Sequence, residues 1–82
     1  MPITKIIMKI LLFGQLAEAA RAKTLQVEDF GDTDELIHHI EQLCPSLRGL
    51  TYIVAVNRNF IQSNTKLTPD AEVALLPPYA GG

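Results

Sequence analysis

Only one stretch of this chain carries a long helical stripe, and the segments around it read mostly as short strands. Leu36, Ile40, Leu43 and Leu47 follow one another at four-, three- and four-residue steps, which lines them up along one side of a helix. Asp32 stands at the N-cap position with Glu35 three residues on, an aspartate version of the capping box. Pro45 lacks a backbone donor and disfavours helical geometry in the residue before it, so the regular helix is predicted to stop near Leu43 or Cys44. A single helix cannot bury its own apolar side, so the strands must supply the other layer of the core.

The short segments fall into order around that helix. Residues 9–13 are apolar and end at Gly14, which reads as a buried strand and its terminator. Residues 15–22 are strong helix formers but few, predicting a short helix. Thr24 to Glu28 alternates at period two, with Leu25 and Val27 on one face. Tyr52 to Asn57 is rich in β-formers, Asn57 to Asn59 is a polar turn, and Phe60-Ile61 is a short strand. Turn signals at Ser63-Asn64 and Thr68-Pro69-Asp70 precede a last strand over Glu72 to Leu76. The expected fold class is α+β, with a sheet packed on one principal helix.

A sheet covered on one face alternates apolar with polar residues. The first and last strands do not. If Ile10 and Leu12 face the helix, Leu11 and Phe13 point away; if Val73 and Leu75 face it, Ala74 and Leu76 point away. The uncovered face would then carry Leu11, Phe13 and Leu76, which invites a partner. The alternative cover is the short helix at 15–22, the only spare element. Burying about 400 Å2 of such surface is worth roughly 10 kcal/mol at about 25 cal/mol per Å2, before association costs.

The chain closes on Pro77-Pro78-Tyr79-Ala80-Gly81-Gly82. The paired proline should stop the last strand and aim a semi-rigid stalk outward. Two glycines carry no side chain, so the last carboxylate could be threaded down a slot too narrow for any other residue. A frayed end is the bland alternative. The position directly after a strand and a paired proline favours a tail that enters another protein's active site and is activated there.

Composition narrows the classes. At 82 residues the chain is one small domain, and 48% hydrophobic with 20% charged residues makes it globular. A net charge of −2, with the seven Lys and Arg scattered among acids, argues against a nucleic-acid partner. A single cysteine, Cys44, excludes an internal disulfide and fits a reducing, cytoplasmic setting. The N-terminus has a superficial likeness to a secretion signal, with Ala17-Glu18-Ala19 as a cleavage site. Lys9 interrupts its apolar run, however, and cleavage would discard the first strand. No stretch approaches the ~18 apolar residues of a membrane span, so no membrane association is expected.

Several features together resemble a known family. Leu11-Leu12-Phe13-Gly14-Gln15, Val56-Asn57 before the fourth strand, and Leu67-Thr68-Pro69-Asp70-Ala71-Glu72-Val73 leading to the Pro-Pro-x-x-Gly-Gly ending carry the likeness. Over residues 8–82 the chain resembles the small, sulfur-carrying subunit of molybdopterin synthase, a ubiquitin-like β-grasp protein with a mixed sheet and a flexible C-terminal tail. Leu76 stands where relatives often have an aromatic, and Ala17 where they often have an arginine. The resemblance divides the chain into an N-terminal extension (1–7), a β-grasp domain (8–78) and a reactive tail (79–82).

It also implies a chemistry. The Gly82 carboxylate would be adenylated by a ubiquitin-activating-type adenylyltransferase using ATP, then sulfurated to a thiocarboxylate. The tail would next enter the large subunit, within a heterotetramer, and give its sulfur to cyclic pyranopterin monophosphate during molybdenum cofactor biosynthesis. Gly81 would give clearance in the slot. Leu11, Phe13, Leu76, Pro77, Pro78 and Tyr79 would form the partner interface. The chain itself would bind no cofactor or metal and would not be catalytic alone.

Rival readings are a sulfur carrier for thiamine or tRNA thiolation, a ubiquitin-like modifier joined to lysines through Gly82, and a stand-alone binding module. Cys44 reads as a small core residue rather than a sulfur acceptor. His38 and His39, adjacent on a helix, point about 100° apart and cannot chelate together.

Overall fold

The computed structural model describes residues 7–28 and 30–78. The elements run β1 (Ile7–Leu12), α1 (Gln15–Ala20), β2 (Thr24–Glu28), α2 (Thr33–Leu43), a 3₁₀ turn (Pro45–Leu47), β3 (Ile53–Val56), β4 (Asn59–Ile61) and β5 (Val73–Leu76). They form one five-stranded sheet in the order β2-β1-β5-β3-β4. β1 and β5 are parallel and the other three pairings antiparallel, so the sheet is mixed. This is the β-grasp arrangement that the sequence pointed to.

Local chemistry explains the elements. The Asp32 side chain accepts a hydrogen bond from the Glu35 N–H at 2.9 Å, so the aspartate cap forms as expected. The N–H of Cys44 still reaches the Ile40 carbonyl, and Pro45 then opens the 3₁₀ turn. The predicted stripe needs one correction. Leu36, Ile40 and Leu47 are fully buried, but Leu43 is 54% exposed. Leu43 is the last helical residue, and the turn after Pro45 folds Leu47 back to close that end of the core instead.

The layer between helix and sheet holds Met8, Ile10 and Leu12 of β1, Val73 and Leu75 of β5, Val27, Val56, and Leu36 and Ile40 of α2. Helix α1 contributes Leu16 to this same core, and Ser46 Oγ donates to its Ala19 carbonyl at 2.9 Å. Helix α1 therefore sits with α2 and the 3₁₀ turn, and among the described residues no element covers the opposite face of the sheet. The connection from β4 to β5 is tied to the start of α2. Thr33, only 3% exposed, donates through Oγ1 to Asn64 Oδ1 at 3.2 Å and accepts from the Thr65 N–H at 2.9 Å. No helix among the described residues is long and apolar enough to cross a membrane.

Candidate functional site

The register of the sheet assembles the open face residue by residue. Leu11 pairs with Ala74, Ala74 with Ala55, and Ala55 with Phe60, so one row crosses β1, β5, β3 and β4 on the side away from α2. The next row includes Leu76 and Ile53, which are paired, and Phe13, whose N–H reaches the Leu75 carbonyl at 3.1 Å just past the end of β1. The alternation that buries Met8, Ile10 and Leu12 forces Lys9 and Leu11 outward, and likewise Ala74 and Leu76 of β5.

These side chains enclose a shallow groove of about 410 Å3. Alanines at 55 and 74 keep its floor low, while Leu11, Phe13 and Leu76 stand on one flank and Phe60 on the other. Phe13 is 45% and Phe60 68% exposed, unusually open for side chains of that size. The three face residues expected from sequence, Leu11, Phe13 and Leu76, are thus brought together in one concavity.

Polarity changes along the face. Lys9 and Gln26 lie toward one end, Glu72 and Arg58 line the near edge of the groove, and its apolar side chains lie toward the other end, from which β5 leaves. Arg58 Nε and Glu72 Oε1 are 3.4 Å apart, with both side chains well exposed. Such a surface pair contributes little to stability, and it forms a polar rim beside an apolar centre.

Phe60 is the member that sequence reasoning missed. The signal was present in the β3–β4 hairpin. Asn57 and Arg58 both have positive φ, 51° and 68°, and form a two-residue turn of the kind that matches strand twist. That turn sets Val56 opposite Asn59 and therefore Ala55 opposite Phe60, on the outward face. Asn57 also locks the hairpin to the start of β5. Its N–H donates to the Glu72 carbonyl at 2.7 Å and its Oδ1 accepts from the Glu72 N–H at 2.9 Å.

Pro77 and Pro78 follow Leu76 directly and are half-buried. Tyr79, Gly81 and Gly82, the other expected site residues, lie outside the described residues. The residues set aside from sequence stay apart from the groove. Cys44 is half-buried at the C-terminal cap of α2 among the residues packed on the core, and His39 lies against the Phe30 ring with centroids 5.0 Å apart. Among the described residues no three His, Cys, Asp or Glu side chains cluster as metal ligands.

The ThiS family matches residues 10–82 of this chain. Among solved structures, the crystal structure of small archaeal modifier protein 1 from Haloferax volcanii is 26% identical. It aligns over 93% of this chain and 99% of its own, with a TM-score of 0.76. The complex of subunits 1 and 2 of molybdopterin-converting factor from Helicobacter pylori 26695 contains a chain that is also 26% identical. The alignment covers 93% of this chain and 99% of that one, with a TM-score of 0.67.

Proposed function

This chain belongs to the ThiS family, and from that premise we propose that it is a sulfur carrier reactive at Gly82, acting as the small subunit of molybdopterin synthase. One observation carries the reading: the apolar groove lies at the end of the sheet where the chain leaves β5 for Pro77-Pro78. Leu76 lines the groove and Pro77-Pro78 come next in the chain. A partner that covers the groove receives the following residues at the border of the same contact, so docking and delivery become one event. The solved complex of subunits 1 and 2 of molybdopterin-converting factor, one chain of which is similar to this one, supports a large-subunit partner.

The chemistry assigns the tail one role and its partners the rest. A carboxylate is a poor electrophile. Joining the Gly82 carboxylate to AMP from ATP, with release of pyrophosphate, supplies a leaving group that attacking sulfur then displaces. The resulting thiocarboxylate is a soft nucleophile, able to pass its sulfur to cyclic pyranopterin monophosphate and return to a carboxylate by hydrolysis. Gly81 and Gly82 have no side chains to move protons, so the acid and base groups belong to the adenylyltransferase and to the large subunit. The part played by this chain is to dock, to reach and to carry.

The likeness to small archaeal modifier protein 1 favours a second reading, in which the activated Gly82 carboxyl is captured by an amine. The two readings share activation and differ in the fate of the acyl group. Reconstitution with the activating enzyme, ATP, a sulfur source, the large subunit and cyclic pyranopterin monophosphate separates them. The carrier reading expects the dithiolene product and recovery of unmodified chain. An amide bond from Gly82 to a lysine of another protein, with no dithiolene formed, would establish the modifier instead.

A further inference from the structure

Gly14, two residues past the end of β1, caps α1 and forms the corner into it, with φ 57° and ψ −135°. Its carbonyl accepts from the N–H groups of Ala17 and Glu18, so the corner is fixed to α1. The neighbouring Phe13 N–H bonds the Leu75 carbonyl, which brings the corner against the end of β5. A methyl carbon on Gly14 would fall 2.7 Å from Pro77 Cγ and 3.5 Å from Pro77 Cδ. At Gly31 and Gly49 the equivalent space is empty to 4 Å. Among these three glycines, Gly14 alone has the place of its missing side chain taken by another residue, and that residue is the first after β5, two positions before the tail.

We propose that Gly14 is a positioning residue for the tail: it leaves the seat in which the Pro77 ring rests, and so sets the direction in which the chain leaves the sheet. The inference rests on the carrier reading, because direction matters only if Gly82 must reach a defined point. Proline holds φ near −65°, so the ring cannot shift without turning the backbone that follows it. Five residues lie beyond Pro77. Extended in a partner's slot at about 3.5 Å each, they turn a ~10° tilt of the ring into a sideways displacement of about 3 Å at the carboxylate. A displacement of about 1 Å can cost on the order of 100-fold in rate.

A side chain at residue 14 thus acts in two separable ways. It strains a corner with positive φ whatever lies nearby, and it pushes on Pro77. A double-mutant cycle of Gly14→Ala and Pro77→Ala in the full chain distinguishes them, because removing the ring relieves the push and leaves the strain. Three quantities are read: the rate of thiocarboxylate formation at Gly82 by intact mass, the affinity for the large subunit, and the melting temperature. Gly14→Ala is expected to slow loading by roughly 10-fold or more with partner affinity nearly unchanged, a split that general loosening of the fold would not produce. Adding Pro77→Ala should then cost less than the product of the two single losses.

Loading at the wild-type rate by a folded Gly14→Ala would overturn the inference, as would losses that multiply. If Gly14→Ala unfolds, recovery of the fold on adding Pro77→Ala supports the seat, and continued unfolding contradicts it. In the wild-type chain, NMR should show close contacts between the Gly14 α-protons and the Pro77 ring; their absence refutes the inference without any variant. Failure of the wild-type chain to accept sulfur would refute the carrier reading instead, and is distinguishable from all of these.

Discussion

Phe60 leaves 68% of its surface in water, on a three-residue strand, opposite an alanine. A side chain so placed contributes little to the isolated fold and much to a contact that covers it. Phe60→Asp should therefore leave the melting temperature within a few degrees of wild type. It should also weaken large-subunit binding by at least ~100-fold, since an unpaired charge would be buried against apolar surface. Phe13→Asp should behave alike, and calorimetric titration of both variants checks the pair. Tyr52 shows the opposite economy, a polar group committed to the fold. Its hydroxyl donates to Glu41 Oε2 at 2.5 Å, and burial, with this bond and the nearby carboxylate, pushes its ionisation well above the ordinary tyrosine value. The folded chain thus holds the proton more tightly than the unfolded one. That contribution is complete below about pH 10, where unfolded tyrosine begins to ionise, and is lost as pH rises through the higher folded value. Urea midpoints from pH 8 to 11 should show wild type losing its advantage over Tyr52→Phe only above about pH 10. A difference constant across that range would mean the bond does not form in solution.

At the scale of elements, caps and turns were legible because their chemistry is local. The Asp32 cap needs only a residue three positions on, and Asp32→Ala should cost about 1 kcal/mol. Differential scanning calorimetry would register this as a fall of roughly 4–8 °C for a domain this size. The stripe was less legible. Leu43 fits the helical period as well as Ile40 does, yet it is exposed, because the sequence does not say how far the sheet extends beneath the helix. Leu47 reaches the core through a 3₁₀ turn, outside the period that pointed to it. The doubly apolar alternation of β1 and β5 was the most telling signal. It placed Leu11, Phe13 and Leu76 on one open face before any register was known. Phe60 required the hairpin count from Asn57 and Arg58, and Gly14 required the meeting of two distant segments that no local pattern reports.

Taken as a whole, the molecule divides its labour between two faces and one end. The α2 side stores the apolar core, the open side presents a groove with a polar rim, and β5 runs from the rim past the groove to Pro77-Pro78. Such an arrangement can hand over a small group that the domain itself never touches. The face supplies contact area, while the residues after Pro78 supply reach. Docking and transfer should therefore fail independently: face variants lose affinity, and changes at Gly82 lose chemistry with affinity nearly intact. The central claim is that Gly82 carries sulfur as an acyl derivative, and intact-mass spectrometry tests it most directly. After incubation with its activating enzyme, ATP and a sulfur source, the chain should gain the difference between one sulfur and one oxygen atom. A variant with one alanine appended after Gly82 should show no such gain, because one residue moves the carboxylate by about 3.5 Å. An unchanged wild-type mass beside a demonstrably active activating enzyme, or equal loading of the extended variant, would contradict the account.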